Sequence, residues 1–286
     1  MPGRPFLIHL LILALVIPWS NGSAQQTCNE VYGSGERSFS VATGSPGELG
    51  LLKILGEAFA REAGASLCWI KAGSGASFQL LRQKKVDVIL VHAPEAEEQA
   101  IREGWAARRT LVGYNEFFLV GPPEDPAKIT GAASAAETFR RIASRKAFFF
   151  SRGDNSGTHQ KEMAVWRQAG IQPEGDWYRI TRTFMSASLK KAHEGQGYFL
   201  TDSSTWVMEK DRLPRLKVLF QGDPLLINAY HGLCQPNGAT PASDLGARFL
   251  VFLASERGQG LIGEFGQDRF GQGIYKNARP KSEKVH

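Results

Sequence analysis

Short apolar runs alternate with longer amphipathic segments along most of the chain. In the first part, the apolar runs 39–42, 66–71 and 86–91 are each followed by a polar turn of small residues and then by a segment with helical periodicity. Leu55 and Phe59, for example, fall on one face of the first such segment, with the spacing of an amphipathic helix. This repeated order predicts a parallel sheet covered by helices, and therefore an α/β fold.

A further strand is predicted at 116–120. The second part of the chain repeats the pattern, with strands predicted at 147–150, 198–202 and 216–220. Between the two parts, the proline-rich stretch 122–126 is the clearest break in the sequence and predicts a crossing between two lobes. A later strand at 230–234 is expected to return to the first lobe. In such sheets the turns that follow parallel strands lie at one edge, where ligands bind.

We therefore predict an N-terminal processed segment, two lobes and a tail. The first lobe is built from two separate stretches, because the chain is expected to return to it. The predicted boundaries are 1–24 for a signal peptide, 25–37 for an irregular leader, 38–122 with 225–276 for lobe 1, 123–224 for lobe 2 and 277–286 for a flexible tail.

Residues 1–24 have the features of a cleaved export signal. Arg4 gives a weakly positive start, 6–17 is apolar apart from one histidine, and 22–24 supplies the small residues that a signal peptidase needs. The apolar run is shorter than the roughly 20 residues of a membrane span. Cys28 is not preceded by the lipobox of a lipoprotein. We therefore expect an exported protein without a lipid anchor, most simply in the periplasm of a Gram-negative bacterium.

The charge pattern does not favour a nucleic-acid partner. The formal net charge is +6, but the lysines and arginines are scattered among acidic residues. No basic tract interleaves with aromatic residues that would stack on bases. The surplus positive charge predicts a solvated surface with a mild attraction for anions.

The cysteines and histidines predict a disulfide rather than a metal site. Cys28, Cys68 and Cys234 lie far apart in the sequence and have no metal-ligand spacing. In an oxidising compartment, we expect one disulfide and one remaining thiol, and the sequence leaves open which two cysteines pair. The histidines are scattered as well, so we expect neither a metal nor a cofactor.

A polar loop, Ser151–His159, separates the apolar run 147–150 from the amphipathic segment 161–169. Its sequence predicts a strand, a tight turn with two glycines and then a helix. The first backbone N–H groups of a helix lack internal partners and lie at the positive end of its dipole, so they favour an anion. Arg152 adds a planar guanidinium that can hold carboxylate or tetrahedral oxygens in two places. We therefore expect this loop to bind a small oxyanion.

Three other predicted turns carry hydroxyl residues next to a helix start. Thr43 and Ser45 follow the first strand, and Ser45 with Glu48 three residues later forms a capping-box pattern. Ser74 lies in the Gly/Ser turn after the second strand, which lacks the Gly-Lys-Ser/Thr ending of a nucleotide phosphate loop. Ser186 precedes another predicted helix.

Several stretches, taken together, form a specific pattern. They are 87–97, 114–117, Ser151–His159, 200–202 with Thr205 and Trp206, and 222–224. With these residues the chain resembles the periplasmic tungstate-binding proteins of oxyanion ABC transporters, a branch of the type II periplasmic binding protein superfamily. The resemblance runs from about 39 to about 265, nearly all of the chain after the predicted signal peptide.

The resemblance implies a two-lobe type II fold, in which each lobe has a mainly parallel sheet flanked by helices and the ligand cleft lies between the lobes. It implies a non-enzymatic, monomeric protein that closes on tungstate or molybdate and delivers the anion to a membrane permease. The expected ligand-binding residues are Thr43, Ser45, Ser74, Arg152, Ser156, Gly157, Thr158, Arg182 and Ser186.

Two turns depart from the family pattern. The family has three threonines and a serine in the first turn, whereas 42–45 here reads Ala-Thr-Gly-Ser. The family has Gly-Gln-Gly before the later methionine, whereas 182–184 here reads Arg-Thr-Phe. Each lost hydrogen bond to a charged ligand costs about 1.5–3 kcal/mol. The identity of the anion therefore stays open, and Arg182 fits either a compensating contact or a larger or more highly charged anion.

Two alternatives come from other functional classes. A phosphate-ester hydrolase would use His159 or His92 with Asp154 or Asp202 as a titratable pair. Ser156, however, is not surrounded by the Gly-x-Ser-x-Gly elbow of a nucleophilic serine. A sensing domain with the same fold and a changed ligand is the other alternative. The sequence favours anion capture for transport over both.

Overall fold

The computed structural model describes residues 27–278. The predicted signal peptide, 1–24, lies outside the described residues, and so do residues 279–286 of the predicted tail, 277–286. Within 27–278, no helix is long and apolar enough to cross a membrane.

Strands and helices alternate through the described residues. The strands are β1 (Glu30–Tyr32), β2 (Arg37–Thr43), β3 (Ala65–Lys71), β4 (Val88–Val91), β5 (Ala107–Gly121), β6 (Phe149–Ser151), β7 (Tyr178–Ile180), β8 (Tyr198–Asp202), β9 (Lys217–Phe220), β10 (Ile227–Cys234) and β11 (Lys276–Asn277). The helices are α1 (Ser45–Glu48), α2 (Leu51–Ala63), α3 (Ser74–Arg82), α4 (Pro94–Arg102), α5 (Ala135–Ser144), α6 (Gly157–Ala169), α7 (Met185–Glu194), α8 (Ser203–Glu209), α9 (Ser243–Ala254), α10 (Glu256–Glu264) and α11 (Gln267–Phe270). Short 3-10 turns lie at Lys210–Arg212 and Pro224–Leu226.

The first lobe is built around β2, which pairs in parallel with β3 and β4. Strand β1 joins β3 in antiparallel orientation, and β10 joins β4 in the same way. Phe39 of β2, Phe59 of α2 and Phe249 of α9 meet in the core with ring centroids 5.2–5.5 Å apart. These helices therefore cover the sheet through the apolar faces that the sequence predicted.

The second lobe is built around β6, which pairs in parallel with β7 and β8. Phe139 of α5, Phe149 of β6 and Trp166 of α6 are fully buried, with ring centroids 4.4–5.3 Å apart. Because α6 packs on the sheet through Trp166, its N-terminus is held at the end of β6. Trp166 therefore belongs to the core of the second lobe.

Strand β5 takes part in both lobes. Its residues up to Glu116 pair with β10, and its residues from Phe117 onward pair with β8 and β9. The sequence predicted a strand only at 116–120, because the charged and polar residues of 107–115 hide the alternating apolar pattern. The chain thus passes between the lobes inside a strand. The predicted lobe boundaries after 122 and 224 stay a prediction.

The first helical region differs from the prediction of one helix that begins with a capping box. A single turn, α1, ends before Gly50, whose φ of 93° separates it from α2. The residue before α1 is Gly44, and no side chain caps α1. Ser45 instead directs its hydroxyl to Asp202 of the second lobe, at 3.5 Å. The prediction of the capping box was wrong, because this long-range contact replaces the local one.

The cysteine pairing that the sequence left open is Cys28–Cys68. This disulfide fastens the segment before β1 to β3, so the stretch that was predicted as an irregular leader contains a paired strand. Cys234 is free and buried at the end of β10. Burial raises the pKa of its thiol to about 11.

Reduction of the disulfide is expected to lower the free energy of unfolding by about 3–4 kcal/mol, because the bond closes a loop with a sequence separation of 40 residues in the unfolded chain. Urea unfolding with and without dithiothreitol measures this difference. The Cys28→Ala/Cys68→Ala variant serves as the control, since it should show the lower stability and no response to dithiothreitol. An equal response of the variant would contradict the prediction.

Candidate functional site

Four strand-to-helix turns meet where the two lobes face each other. Gly73, before α3, approaches the loop before α6 so closely that an added Cβ would lie 3.2 Å from the Cβ of Ser156 and 3.9 Å from Nη2 of Arg152. An added Cβ at Gly75 would lie 2.6 Å from the carbonyl oxygen of Asn155. Larger residues would hold these turns apart. The glycines therefore allow the backbones of the two lobes to come into contact.

Arg152 lies at the centre of this contact and is only 4% exposed. Its Nη2 donates to Oδ2 of Asp154 at 2.6 Å. Its Nε has no hydrogen-bond partner among the described residues. Burial by itself raises the pKa of the Asp154 carboxyl, but Arg152 and two bonds from Ser156 outweigh it, so the pKa lies below its usual value. The site therefore holds a paired cation that retains a free donor.

The N-terminus of α6 supplies further donors next to Arg152. Ser156 is the N-cap residue, and its hydroxyl accepts the N–H of His159 at 3.3 Å. The hydroxyl of Thr158 is buried and has no partner in the part of the chain that the structure describes. Gly157 opens the helix, and an added Cβ there would lie 2.4 Å from Nε2 of His92. A buried hydroxyl without a partner is costly, so a ligand that accepts from Thr158 would be stabilised here.

The candidate residues of the first lobe are already hydrogen-bonded. The hydroxyl of Thr43 donates to the carbonyl oxygen of Leu90 at 2.9 Å, and that of Ser74 accepts the N–H of His92 at 3.4 Å. Both side chains are buried. Thr43 thus uses its only hydroxyl proton within the sheet, whereas Ser74 keeps its proton for a ligand.

The last two predicted residues precede and begin α7. Arg182 donates its backbone N–H to the carbonyl oxygen of Arg152 at 2.9 Å, but its side chain is exposed. Ser186 lies in the first turn of α7 and is half-buried. The structure therefore ties the turn before α7 to the loop that carries Arg152 and leaves the side chain of Arg182 exposed.

The sequence did not predict the network around Asp202. This carboxylate is fully buried and accepts from the hydroxyl of Ser204 at 2.6 Å and from the N–H and hydroxyl of Thr205, both at 2.8 Å. Asn115 bridges Ser204 to Asn228 with bonds of 2.7 and 2.6 Å. The Asp-x-x-Thr pattern of an N-cap before α8 was the available signal, but the sequence analysis used these residues only in the family resemblance and, for Asp202, in the hydrolase alternative.

Neither candidate histidine is arranged as a general base with a carboxylate. Nδ1 of His92 lies 2.7 Å from Oδ1 of Asn228, and burial lowers the pKa of this histidine to about 4. Nδ1 of His159 accepts the N–H of Asn155 at 3.1 Å. Within 27–278, no group of three or more His, Cys, Asp or Glu residues is placed to hold a metal ion. His159 thus holds the backbone of the loop before α6, whereas His92 contacts the side chain of Asn228 in β10.

Residues 92–97 anchor the start of helix α4. Glu97 is fully buried, accepts the N–H of Ala93 at 2.8 Å and pairs with Arg109 of β5 at 2.9 Å. Nδ1 of His231, in β10, lies 3.0 Å from the same carboxylate. Helix α4 is therefore tied to both strands that lead toward the second lobe.

Comparisons with known proteins agree with this arrangement. A family model described as a PBP superfamily domain matches residues 30–257. A tungstate-binding protein TupA of Peptoclostridium acidaminophilum is 35% identical over 239 residues, which are 82% of this chain and 83% of that protein.

Two solved structures have similar folds. The tungstate ABC transporter structure from Geobacter sulfurreducens has a TM-score of 0.72 and 34% identity over 80% of this chain and 99% of that one. The tungstate-binding protein TupA from Desulfovibrio alaskensis G20 has a TM-score of 0.70 and 32% identity over 85% of this chain and 100% of that one. The α/β fold with two lobes that the sequence predicted is confirmed.

Glu162 lies in α6, just after the loop Ser151–His159, and should make the free energy of unfolding depend on pH. It is 1% exposed, and burial raises the pKa of its carboxyl to about 7, against the hydrogen bonds from Tyr178 and Trp166. Between about pH 4.5 and pH 7, the folded protein keeps a proton that the unfolded chain has lost. This group therefore lowers the free energy of unfolding as the pH rises through that window, by up to about 1.4 kcal/mol per pH unit.

Urea unfolding of the wild type and of Glu162→Gln from pH 4.5 to pH 8 measures this contribution. The stability difference between the two proteins should change across the window and become constant above it. Two curves that stay parallel from pH 4.5 to pH 7 would contradict the assignment.

Proposed function

The chain belongs to the PBP superfamily, and from this membership we propose that it captures a small oxyanion, tungstate or molybdate, and delivers it to the permease of an ABC transporter. The two TupA proteins that resemble it are described as tungstate-binding. It acts as a binding protein and not as an enzyme. The export signal at 1–24, the periplasmic location and the monomeric state belong to the same proposal.

The observation that carries this proposal is the pair of partnerless donors beside the N-terminus of α6. Nε of Arg152 and the hydroxyl of Thr158 are buried, and neither has a hydrogen-bond partner among the described residues. Both belong to one loop-and-helix start whose dipole favours negative charge. A tetrahedral oxyanion has enough acceptor oxygens to satisfy these donors at once.

Closure of the lobes would complete the site. Ser45, Ser74 and the backbone around Gly73 come from the first lobe, whereas Arg152 and the N-terminus of α6 come from the second. A ligand that accepts from both sides stabilises the closed form only by its differential contacts with that form. Ser156, Gly157 and Ser186 remain proposed ligands together with these residues. Thr43 would first have to release its bond to Leu90, and Arg182 would have to turn its exposed side chain inward.

Helix α6 also connects the site to the crossing between the lobes. Lys161, one turn after Thr158, donates its ammonium group to the carbonyl oxygen of Leu225 at 2.7 Å. Leu225 lies two residues before β10, which pairs with strands of the first lobe. Movement of α6 is therefore coupled to the segment about which the lobes would rotate.

Arg152→Ala is expected to weaken tungstate binding roughly 10- to 100-fold, because it removes a charge-assisted bond worth about 1.5–3 kcal/mol. Isothermal titration calorimetry with tungstate, molybdate and sulfate measures the effect and ranks the anions. Arg179→Ala is the matched control, since its guanidinium lies over Phe148 on the outside of the same lobe. Unchanged tungstate affinity in Arg152→Ala would disprove the proposed site.

Thr158→Val tests the second donor without a large change in volume. The expected loss of tungstate affinity is roughly tenfold, since one hydrogen bond to a charged ligand is removed. Thr138→Val is the control, because Thr138 is equally buried in α5 but donates its hydroxyl to Ala135. The proposed role of Thr158 requires that only the first variant loses affinity.

A further inference from the structure

The ring of Phe184 lies near one cation of each lobe. Nζ of Lys71 is 4.2 Å from the ring centroid, and Cζ of Arg152 is 5.7 Å from it. Lys71 ends β3 in the first lobe, and Phe184 is the residue before α7 in the second. The negative face of an aromatic ring attracts both cations at such distances. Phe184 therefore joins the two lobes.

Lys71 is held in place from the side of the first lobe. Its Nζ pairs with Oε1 of Glu48 at 2.7 Å, and the two side chains are 31% and 15% exposed. Glu48 ends α1, the single turn that begins with the proposed ligand Ser45. Phe184 in turn directly precedes the helix that carries the proposed ligand Ser186. The contact between Lys71 and Phe184 thus connects two of the turns that would hold the anion.

This contact differs from the interactions inside either lobe. A hydrogen bond within one lobe is present whether the lobes are together or apart, whereas Lys71 and Phe184 meet only when β3 and α7 face each other. A contact that is made in one of two states shifts the equilibrium toward that state by its own free energy. Its energy therefore adds directly to the stability of the closed form.

We propose that Phe184 and Lys71 form a latch that holds the lobes closed and thereby sets the rate at which a bound anion leaves. This inference rests on the proposed function, since it assigns a role in the same cleft. The latch depends on the aromatic ring of Phe184, since a residue without a ring at this position could not contact Lys71 in this way. The closed form is then stabilised by a direct contact between the two lobes as well as by the bound anion.

Phe184→Leu is the informative variant, because leucine keeps the apolar bulk and removes the aromatic face. A cation–aromatic contact is worth about 0.5–2 kcal/mol, so the dissociation rate of tungstate should rise roughly 2- to 30-fold. The association rate should stay within about twofold, since ligand enters the open form. Stopped-flow fluorescence measures both rates, with excess molybdate as the displacing anion.

A double-mutant cycle with Lys71→Met separates the latch from simple packing. Lys71→Met should raise the dissociation rate as well, and the Phe184→Leu/Lys71→Met protein should dissociate no faster than the faster single variant. Phe148→Leu is the matched control. The ring centroid of Phe148 lies 3.6 Å from Cζ of Arg179, and both residues belong to the second lobe. Its dissociation rate should equal that of the wild type.

The outcomes distinguish failure of the latch from failure of the proposed function. If the wild type binds tungstate and Phe184→Leu dissociates at the wild-type rate, or if the effects of the two single changes multiply, the latch is refuted and the proposed function stands. If the wild type retains neither tungstate nor molybdate, the proposed function fails. The latch is then tested by small-angle X-ray scattering of the unliganded proteins. Phe184→Leu should have a larger radius of gyration than the wild type, and equal radii would refute the latch.

Discussion

A buried guanidinium requires negative charge beside it, and this requirement organises the meeting point of the two lobes. A charge that is removed from water is costly unless it is paired and hydrogen-bonded. Arg152 is almost completely buried, whereas the carboxylate that pairs with it, Asp154, remains about one-quarter exposed at the rim. The remaining donor of Arg152 and the start of α6 therefore form a positive region that a small anion can enter. Exclusion of water on closure would strengthen this attraction.

Strands β5 and β10, which pair where the two lobes join, are held together by buried polar contacts as well as by apolar packing. Asn115 of β5 and Asn228 of β10 bond each other and extend to Asp202 on one side and His92 on the other. Each of these groups would be left unsatisfied in a buried environment if its partner moved away. The strands of the crossing should therefore keep their pairing while the lobes rotate, so that deformation falls on the connecting turns.

The sequence predicted most of the fold because apolar periodicity is a local signal that the cores of both lobes obey. It also predicted that a tight loop with Arg152 lies between a strand and the start of α6, since these residues are adjacent in the chain. What it missed depends on contacts that are distant in sequence. The long strand β5 is polar where it passes between the lobes. Ser45 contacts Asp202 instead of capping its own helix, and Cys68 is brought to Cys28 by sheet pairing. The exposed side chain of Arg182 is equally a matter of tertiary position.

The free thiol at the end of β10 has a practical consequence. Cys234 is buried and its thiol is kept protonated, so it should react slowly with maleimide or iodoacetamide, because the thiolate is the form that attacks these reagents. The other two cysteines are already bonded to each other. A single cysteine introduced near the cleft rim would thus accept an environment-sensitive dye without removal of any native cysteine. Lobe closure would then be read as a change in emission, and the protein would become a fluorescent sensor for its anion.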